Sequence, residues 1–181
     1  DRIEDYIDED IDIVIGGPPC QGFSSANKHH RVINDPRNEL YKYYIKAIEK
    51  LAPKIVAMEN VRGMLKVADQ VVEDYESICA EKGGREYHYK ISYRLLNSAD
   101  FSVAQSRERL IYIAIRDDIV ERTGTNPDNV FQAIETNGKN ATVFNLSAAL
   151  EGVRPLEPPE VMGVGEVDSE EAGRKIDVNP F

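Results

Sequence analysis

Residues 11–20 constrain the fold of this chain more than any other stretch. Ile11-Asp12-Ile13-Val14-Ile15 alternates and is rich in β-branched residues, and it stops at Gly16-Gly17-Pro18-Pro19. Proline lacks the N–H that a β-ladder needs, so the run reads as a strand with an abrupt end. Cys20 follows at once. Ligands of open α/β sheets bind outside the carboxyl ends of the strands, so Cys20 stands where chemistry is done. The prolines stiffen its loop and the glycines admit close approach of another molecule. Lys28, His29, His30, Arg31 and Arg37 lie just downstream. Positive charge near a thiol lowers its pKa and raises its thiolate fraction. A lone cysteine is more often simple packing; the Pro-Pro-Cys setting is what argues for a reactive one.

The next elements alternate in type. Asp35-Pro36 marks a helix start, and Leu40, Tyr44, Ala47, Ile48 and Leu51 recur at helical spacing, predicting a helix over 37–51 that Ala52-Pro53 ends. Ile55 to Met58 is a short buried strand leading into Glu59-Asn60-Val61-Arg62-Gly63. A second helix is predicted over 67–82, with Val71, Tyr75, Ile78 and Cys79 inward and Gly83-Gly84 as its stop. Tyr89, Ile91, Tyr93 and Leu95 alternate with His88, Lys90, Ser92 and Arg94, a half-buried strand whose polar face leaves His88 solvated. Leu110 to Ile115 is continuously apolar, a strand covered on both faces. This order predicts an α/β domain with a largely parallel sheet. Signals weaken after residue 118. A short helix is expected over 142–150, and 152–181, rich in proline, glycine and acids, reads as linker.

Two further motifs carry chemical groups. Glu59 sits at the end of a predicted strand. In a parallel sheet neighbouring strand ends lie side by side, so Glu59 and Cys20 can share one crevice, with the carboxyl as acid, base or hydrogen-bond partner. Asn60 can tie one loop backbone to the other, or simply make a turn. Gln105-Ser106-Arg107-Glu108-Arg109 precedes the last buried strand. Its two arginines share one face if the segment is extended, and paired guanidinium groups suit a phosphate or a base carbonyl. Taken singly, a surface acid and a salt-bridged turn are the plainer readings of these motifs.

Together the three motifs resemble the cytosine-C5 DNA methyltransferase family. Gly16 to Ser24 resembles its catalytic Pro-Cys motif, Glu59-Asn60-Val61 its Glu-Asn-Val motif, and Gln105, Arg107 and Arg109 its Gln-x-Arg-x-Arg motif. The segment Asp35 to Leu40 is similar to the motif between the first two. The resemblance covers about residues 11–116. It implies the second half of a Rossmann-like S-adenosylmethionine-dependent methyltransferase domain, mostly parallel with an antiparallel terminal strand. Residues 1–118 would be that half, and 119–181 a linker and the start of a target recognition region. It also implies methyl transfer to C5 of a flipped cytosine through a Cys20–C6 adduct, with Cys20, Glu59, Arg107 and Arg109 catalytic. Pro19 and Asn60 would meet the cofactor. Gln21, Ser24, Ser25, Lys28 and Gln105 would meet double-stranded DNA. Alternatives are a tRNA cytosine-C5 methyltransferase or a non-catalytic nucleic-acid-binding relative.

The chain departs from that pattern. Only fifteen residues precede Gly16, and the family's Phe-x-Gly-x-Gly cofactor turn is not among them, nor are its ribose- and adenine-binding acids. The expectation is a fragment, or one piece of a split or rearranged enzyme whose partner is the missing half. Alone it should bind the cofactor weakly and transfer no methyl group. The formal charge of −10 argues against a simple nucleic-acid binder. However, residues 1–12 hold seven acids and one arginine, and residues 151–181 hold eight acids and three bases, so the middle is near neutral. No apolar run is long enough for a membrane span and no leader opens the chain, so a cytoplasmic, nucleoid-associated location is expected. Two cysteines cannot form a disulfide framework. His29 and His30 lack partners at ligand spacing, so no metal is expected.

Overall fold

The computed structural model describes residues 10–19 and 38–142, with Ala149 and Glu151 beyond them. Strand β1 (Ile13–Gly16) is followed by helix α1 (Glu39–Leu51) and strand β2 (Ile55–Val61). A 3-10 turn (Arg62–Val67) leads into α2 (Ala68–Glu76), the short strands β3 (Ala80–Lys82) and β4 (Arg85–Tyr87), and β5 (Tyr89–Asn97). A second 3-10 turn (Ser98–Phe101) precedes β6 (Glu108–Arg116), and α3 (Asp117–Thr123) and α4 (Pro127–Lys139) follow. All these elements belong to one unit, Asp1–Ala149.

The main sheet has the order β1-β2-β6-β5. β1 pairs parallel with β2, and β6 runs antiparallel to both β2 and β5. Three strands of this sheet therefore point one way, and β6, the last of the described strands, is the reversed one. The α/β class holds, with the reversed strand inserted inside the sheet. One face carries Val56, Met58, Leu110, Tyr112 and Ala114 beneath Tyr41, Ile45 and Ile48 of α1 and Val71 and Tyr75 of α2. The Tyr41 hydroxyl donates to Asp74 at 3.2 Å, joining the two helices. Burial, with the Asp74 charge adding to it, pushes the Tyr41 phenol far above its ordinary range. The opposite face packs Ile113 and Ile115 against Ile119 of α3 and Phe131 of α4.

Helix α1 forms where its spacing predicts and ends at Ala52, whose left-handed backbone (φ 44°) closes it with an N–H to Ile48 O bond of 2.9 Å. The predicted helix over 67–82 is corrected: α2 stops at Glu76, and Gly83-Gly84 does not cap it. Both glycines have positive φ (62° and 74°) and join β3 to β4, where Lys82 pairs with Arg85. That is the two-residue hairpin turn in which both central residues need a left-handed backbone. Cys79 is consequently exposed rather than packed inward. β5 and β6 form where predicted: Tyr89, Ile91, Tyr93 and Leu95 of β5 share the inner cluster, and the apolar residues of β6 enter the clusters on both faces. His88 is exposed as expected, with Nδ1 3.1 Å from Ile78 O.

Two helices follow where sequence signals weaken. Asn126 caps α4 reciprocally with Asn129, and Pro127 takes the first helical turn, the pattern expected of a helix start. Residues 143–148, the centre of the predicted 142–150 helix, lie outside the described residues, as does all of 152–181. No described helix is long and apolar enough to cross a membrane.

Phe131 is fully buried between α4 and the sheet. Phe131→Ala is expected to lower unfolding stability by about 3–5 kcal/mol, with the exposed Gln132→Ala control staying within about 0.5 kcal/mol. Urea titrations monitored by circular dichroism would check both.

Candidate active site

The chain leaving β1 is held at three successive residues. Gly16 stands opposite Met58 in the parallel ladder. Its α-carbon lies against the Tyr44 ring so closely that an added Cβ would sit 2.5 Å from Cε2. Tyr44 is itself anchored, its hydroxyl donating to Ala57 O at 2.9 Å. Burial pushes this phenol up to about 12, with Tyr75's hydroxyl beside it acting the other way. Gly17 faces the opposite side, where a Cβ would be 3.2 Å from Glu59 Oε2. Pro18 is buried, and its carbonyl accepts from Asn60 Nδ2 at 3.0 Å. Pro19 is exposed.

Strand alternation separates the two candidate residues of β2. Asn60 shares the inner face of Val56 and Met58 and is only 4% exposed. Its amide donates to Pro18, and its Oδ1 accepts from Val61 N at 2.9 Å. Asn60 thus ties the β1 loop to the end of β2. Glu59 points the other way. The register pairs Glu59 with Ile111 and Val61 with Arg109, so Glu59 and Arg109 are diagonal neighbours on one face. Arg109 Nε lies 2.6 Å from Glu59 Oε1, with side chains 23% and 49% exposed respectively. Arg109 Nη1 also donates to Glu108 O at 2.8 Å, and Glu108 in turn pairs with Arg62 at 2.5 Å.

The other expected residues are less united. Arg107 is exposed just before β6. Its backbone N–H donates to Asn97 Oδ1 (3.0 Å) and its carbonyl accepts from Ser98 N (3.0 Å). Gln105 is exposed, and its carbonyl accepts from Ser98 Oγ at 2.7 Å. Only Arg109 of the two arginines pairs with Glu59. Cys20, Gln21, Ser24, Ser25 and Lys28 lie outside the described residues. Pro19 is the last described residue before Cys20.

Tyr44 was legible in sequence only as a core position of α1; nothing in its spacing marks a contact with Gly16. Elsewhere, Cys79 before β3, Glu86 in β4 and His88 after it place one ligand atom each within 4.8 Å of one another, a set able to hold a metal ion. At the β1 end, hydrogen bonding to a ligand from Pro19 N or from the Asn60 amide is limited. Pro19 has no N–H to offer, and both ends of the Asn60 amide are engaged within the protein.

Residues 1–156 match the family model described as C-5 cytosine-specific DNA methylase. Type II methyltransferase M.AquIA of Picosynechococcus sp. is 35% identical over 164 residues, covering 86% of this chain and 65% of that protein. M1.HphI of Haemophilus parahaemolyticus is 33% identical over 162 residues, covering 81% and 41%. M.Sau96I of Staphylococcus aureus is 39% identical over 122 residues, covering 67% and 27%. The chain spans less than two thirds of each of these relatives. A solved structure of a prophage-encoded DNA modification methyltransferase from E. coli matches with a TM-score of 0.55 at 24% identity, over 83% of this chain and 37% of that one. This last likeness concerns the fold.

Removing the Asn60 amide leaves the buried Pro18 carbonyl without that donor. Asn60→Ala is expected to cost about 1–3 kcal/mol of stability. Asn60→Asp, which keeps an acceptor but loses the donor, should cost at least as much at neutral pH. Denaturant midpoints would show whether the bond carries this energy.

Proposed function

Because this chain belongs to the C-5 cytosine-specific DNA methylase family, we propose that it forms the base-binding half of a DNA cytosine-C5 methyltransferase. The observation that carries the reading is the 2.6 Å Glu59–Arg109 pair beside the Gly16–Pro19 segment, which precedes Cys20 in sequence. An acid and a guanidinium, both partly exposed at a strand end, can exchange each other for the polar edge of a pyrimidine. In this proposal Glu59 bonds N3 and the exocyclic amine, and Arg109 bonds O2. Arg107 and Gln105 contact the reacting site or a flanking phosphate. Gln21, Ser24, Ser25 and Lys28 contact the DNA backbone.

The chemistry follows from the ring. Neither C5 nor C6 of cytosine is reactive in the intact aromatic system. The Cys20 thiolate adds to C6; the sulfur–carbon bond forms as the C5–C6 double bond breaks. The displaced electron pair is delocalised towards N3, where a proton held by Glu59 neutralises it. Returning that proton to Glu59 sends the pair to C5, now a nucleophilic, enamine-like carbon. After C5 is alkylated, loss of its proton to a base re-forms the double bond and expels the thiolate. The family implies S-adenosylmethionine as the methyl source. Of this chain, Pro19 and Asn60 would adjoin it, and the rest of its site would lie on the complement. The base must first leave the duplex, at a cost of a few kcal/mol. Correct positioning supplies on the order of 7–11 kcal/mol, so extrusion is affordable.

We propose further that the rest of the catalytic domain, on the same or another polypeptide, completes this half. Ile13 and Ile15 of β1 are 54% and 78% exposed, an apolar surface that such a complement would cover. α3 and α4 pack against β6, so we assign them to the catalytic half and place the target recognition region after them.

Two measurements test the reading. The complete enzyme should form a covalent adduct at Cys20 on a 5-fluorocytosine duplex. Glu59→Gln should slow methylation by about 10²–10⁴-fold. Trapping at Cys79, on tRNA in preference to DNA, or nowhere would refute it. The 181-residue chain alone should show no micromolar S-adenosylmethionine binding by calorimetry; a clear isotherm would overturn the proposal that its complement supplies that site.

A further inference from the structure

Tyr44 lies on α1, away from each of the three motifs, yet it is the side chain against which the start of the Pro-Pro loop rests. Gly16 is the only residue type that fits there. The ring carbon Cε2 would be 2.5 Å from any Cβ at that position, and Cδ2 3.0 Å. Such contacts force either the ring or the backbone to move. The ring is not free to move far. Its hydroxyl is bonded to Ala57 O in the middle of β2, and the ring packs on the buried cluster of α1, α2 and the sheet. The backbone is gripped just beyond, by Asn60 on the Pro18 carbonyl. On the other face Gly17 runs within 3.2 Å (Cβ position to Oε2) of the Glu59 carboxyl. A displacement of Gly16 away from Tyr44 therefore carries Gly17 towards Glu59.

Resting on the reading proposed above, we infer that Tyr44 is a positioning residue. Its ring acts as the stop that sets how close the Gly16–Pro19 segment, and with it the chain entering Cys20, runs to the Glu59 carboxyl. The pairing with Gly16 is one of size: the smallest residue faces an anchored aromatic ring. Enlarging one partner should then be compensated by shrinking the other. A residue that merely filled the core would lower stability when changed, without altering the loop in this reciprocal way.

The test uses the whole reduced chain and its two thiols. Cys20 follows the loop directly, and Cys79, exposed on the β3 side, is an internal reference. Limiting iodoacetamide is added and the Cys20 to Cys79 labelling ratio is read by peptide mass spectrometry, with a melting curve for each variant. Gly16→Ala is expected to shift the ratio by about threefold or more, and Tyr44→Leu by a comparable factor. The double variant should return the ratio to within about twofold of the wild type, although its melting temperature stays lowered. Tyr44→Phe, which keeps the ring and loses only the hydroxyl, should shift the ratio least. Should Gly16→Ala fail to fold, the single changes at Tyr44 decide the matter alone.

An unmoved ratio in folded Tyr44→Leu would overturn the inference. So would additive effects in the double variant, since Tyr44 would then not be what the added methyl meets. Failure here is separable from failure of the functional reading. Cys20 trapping by the fluorinated duplex with no labelling response leaves the function standing and removes Tyr44 from it. A reciprocal labelling response without trapping does the reverse.

Discussion

Asn60 is a polar side chain where the alternation of β2 calls for an apolar one, and the arrangement of the site depends on it. Met58 and Val56, two and four residues earlier, point into the core on the same face. An amide there without a partner would cost on the order of 1–3 kcal/mol. The Pro18 carbonyl has the matching difficulty, because a loop turning over a sheet edge has no ladder to accept its groups. Each satisfies the other across 42 positions of sequence. The bond dictates the path of the chain out of β1, which places Gly17 alongside the one acid that strand alternation turns to the opposite face.

The ion pairs near that loop differ in kind from the Asn60 bond. Glu59 and Arg109 are partly exposed, as are Arg62 and Glu108. Exposed pairs contribute about 0–1 kcal/mol to stability. The fold therefore loses little when Glu59 or Arg109 turns to another partner. Rigid elements lie beneath them: the β2–β6 register and the capped turn at Asn97, whose side chain accepts from both Ala99 N and Arg107 N. Exchangeable charged groups on a fixed framework are what recognition of a polar heterocycle requires.

Much of this was legible in the residues because it is local. The β-branched run stopped by Gly-Gly-Pro-Pro, the 3.6-residue spacing of α1 and the alternation of β5 each report one element's own surroundings. The misreading of 67–82 has an equally local cause. Val71, Tyr75, Ile78 and Cys79 fit a helical period, but Ile78 is buried from the link after α2 and Cys79 is exposed before a strand. Gly-Gly is ambiguous between a helix stop and a tight hairpin, and only the pairing of Lys82 with Arg85 decides it. The Asn60 tether was legible as a possibility, because an amide beside a strand end has few other uses. The Glu59–Arg109 contact was not, since it depends on the antiparallel register of two strands far apart in sequence, as the pairing of Val61 with Arg109 fixes. The Tyr44–Gly16 contact was hidden for a similar reason: helical periodicity says that a side chain faces the sheet but not which strand it meets.

The two faces of the sheet contribute unequally at the β1 end. On the inner face, Tyr44 and Asn60 hold Gly16 and Pro18 from within a continuous buried cluster. On the outer face, the cover given by Ile119 and Phe131 lies over β6, while Ile13 and Ile15 of β1 are exposed among the described residues. Among the described residues the loop is therefore held mainly from the inner face, with the Glu59 carboxyl alone beside Gly17 on the outer one. This follows from the topology, because a strand reversed between β2 and β5 draws α3 and α4 to the far half of the sheet. It has a chemical consequence. The inner face can be rigid without obstructing anything, since no substrate enters the core. The outer face carries the carboxyl, and it keeps the exposure that a carboxyl needs to change partners.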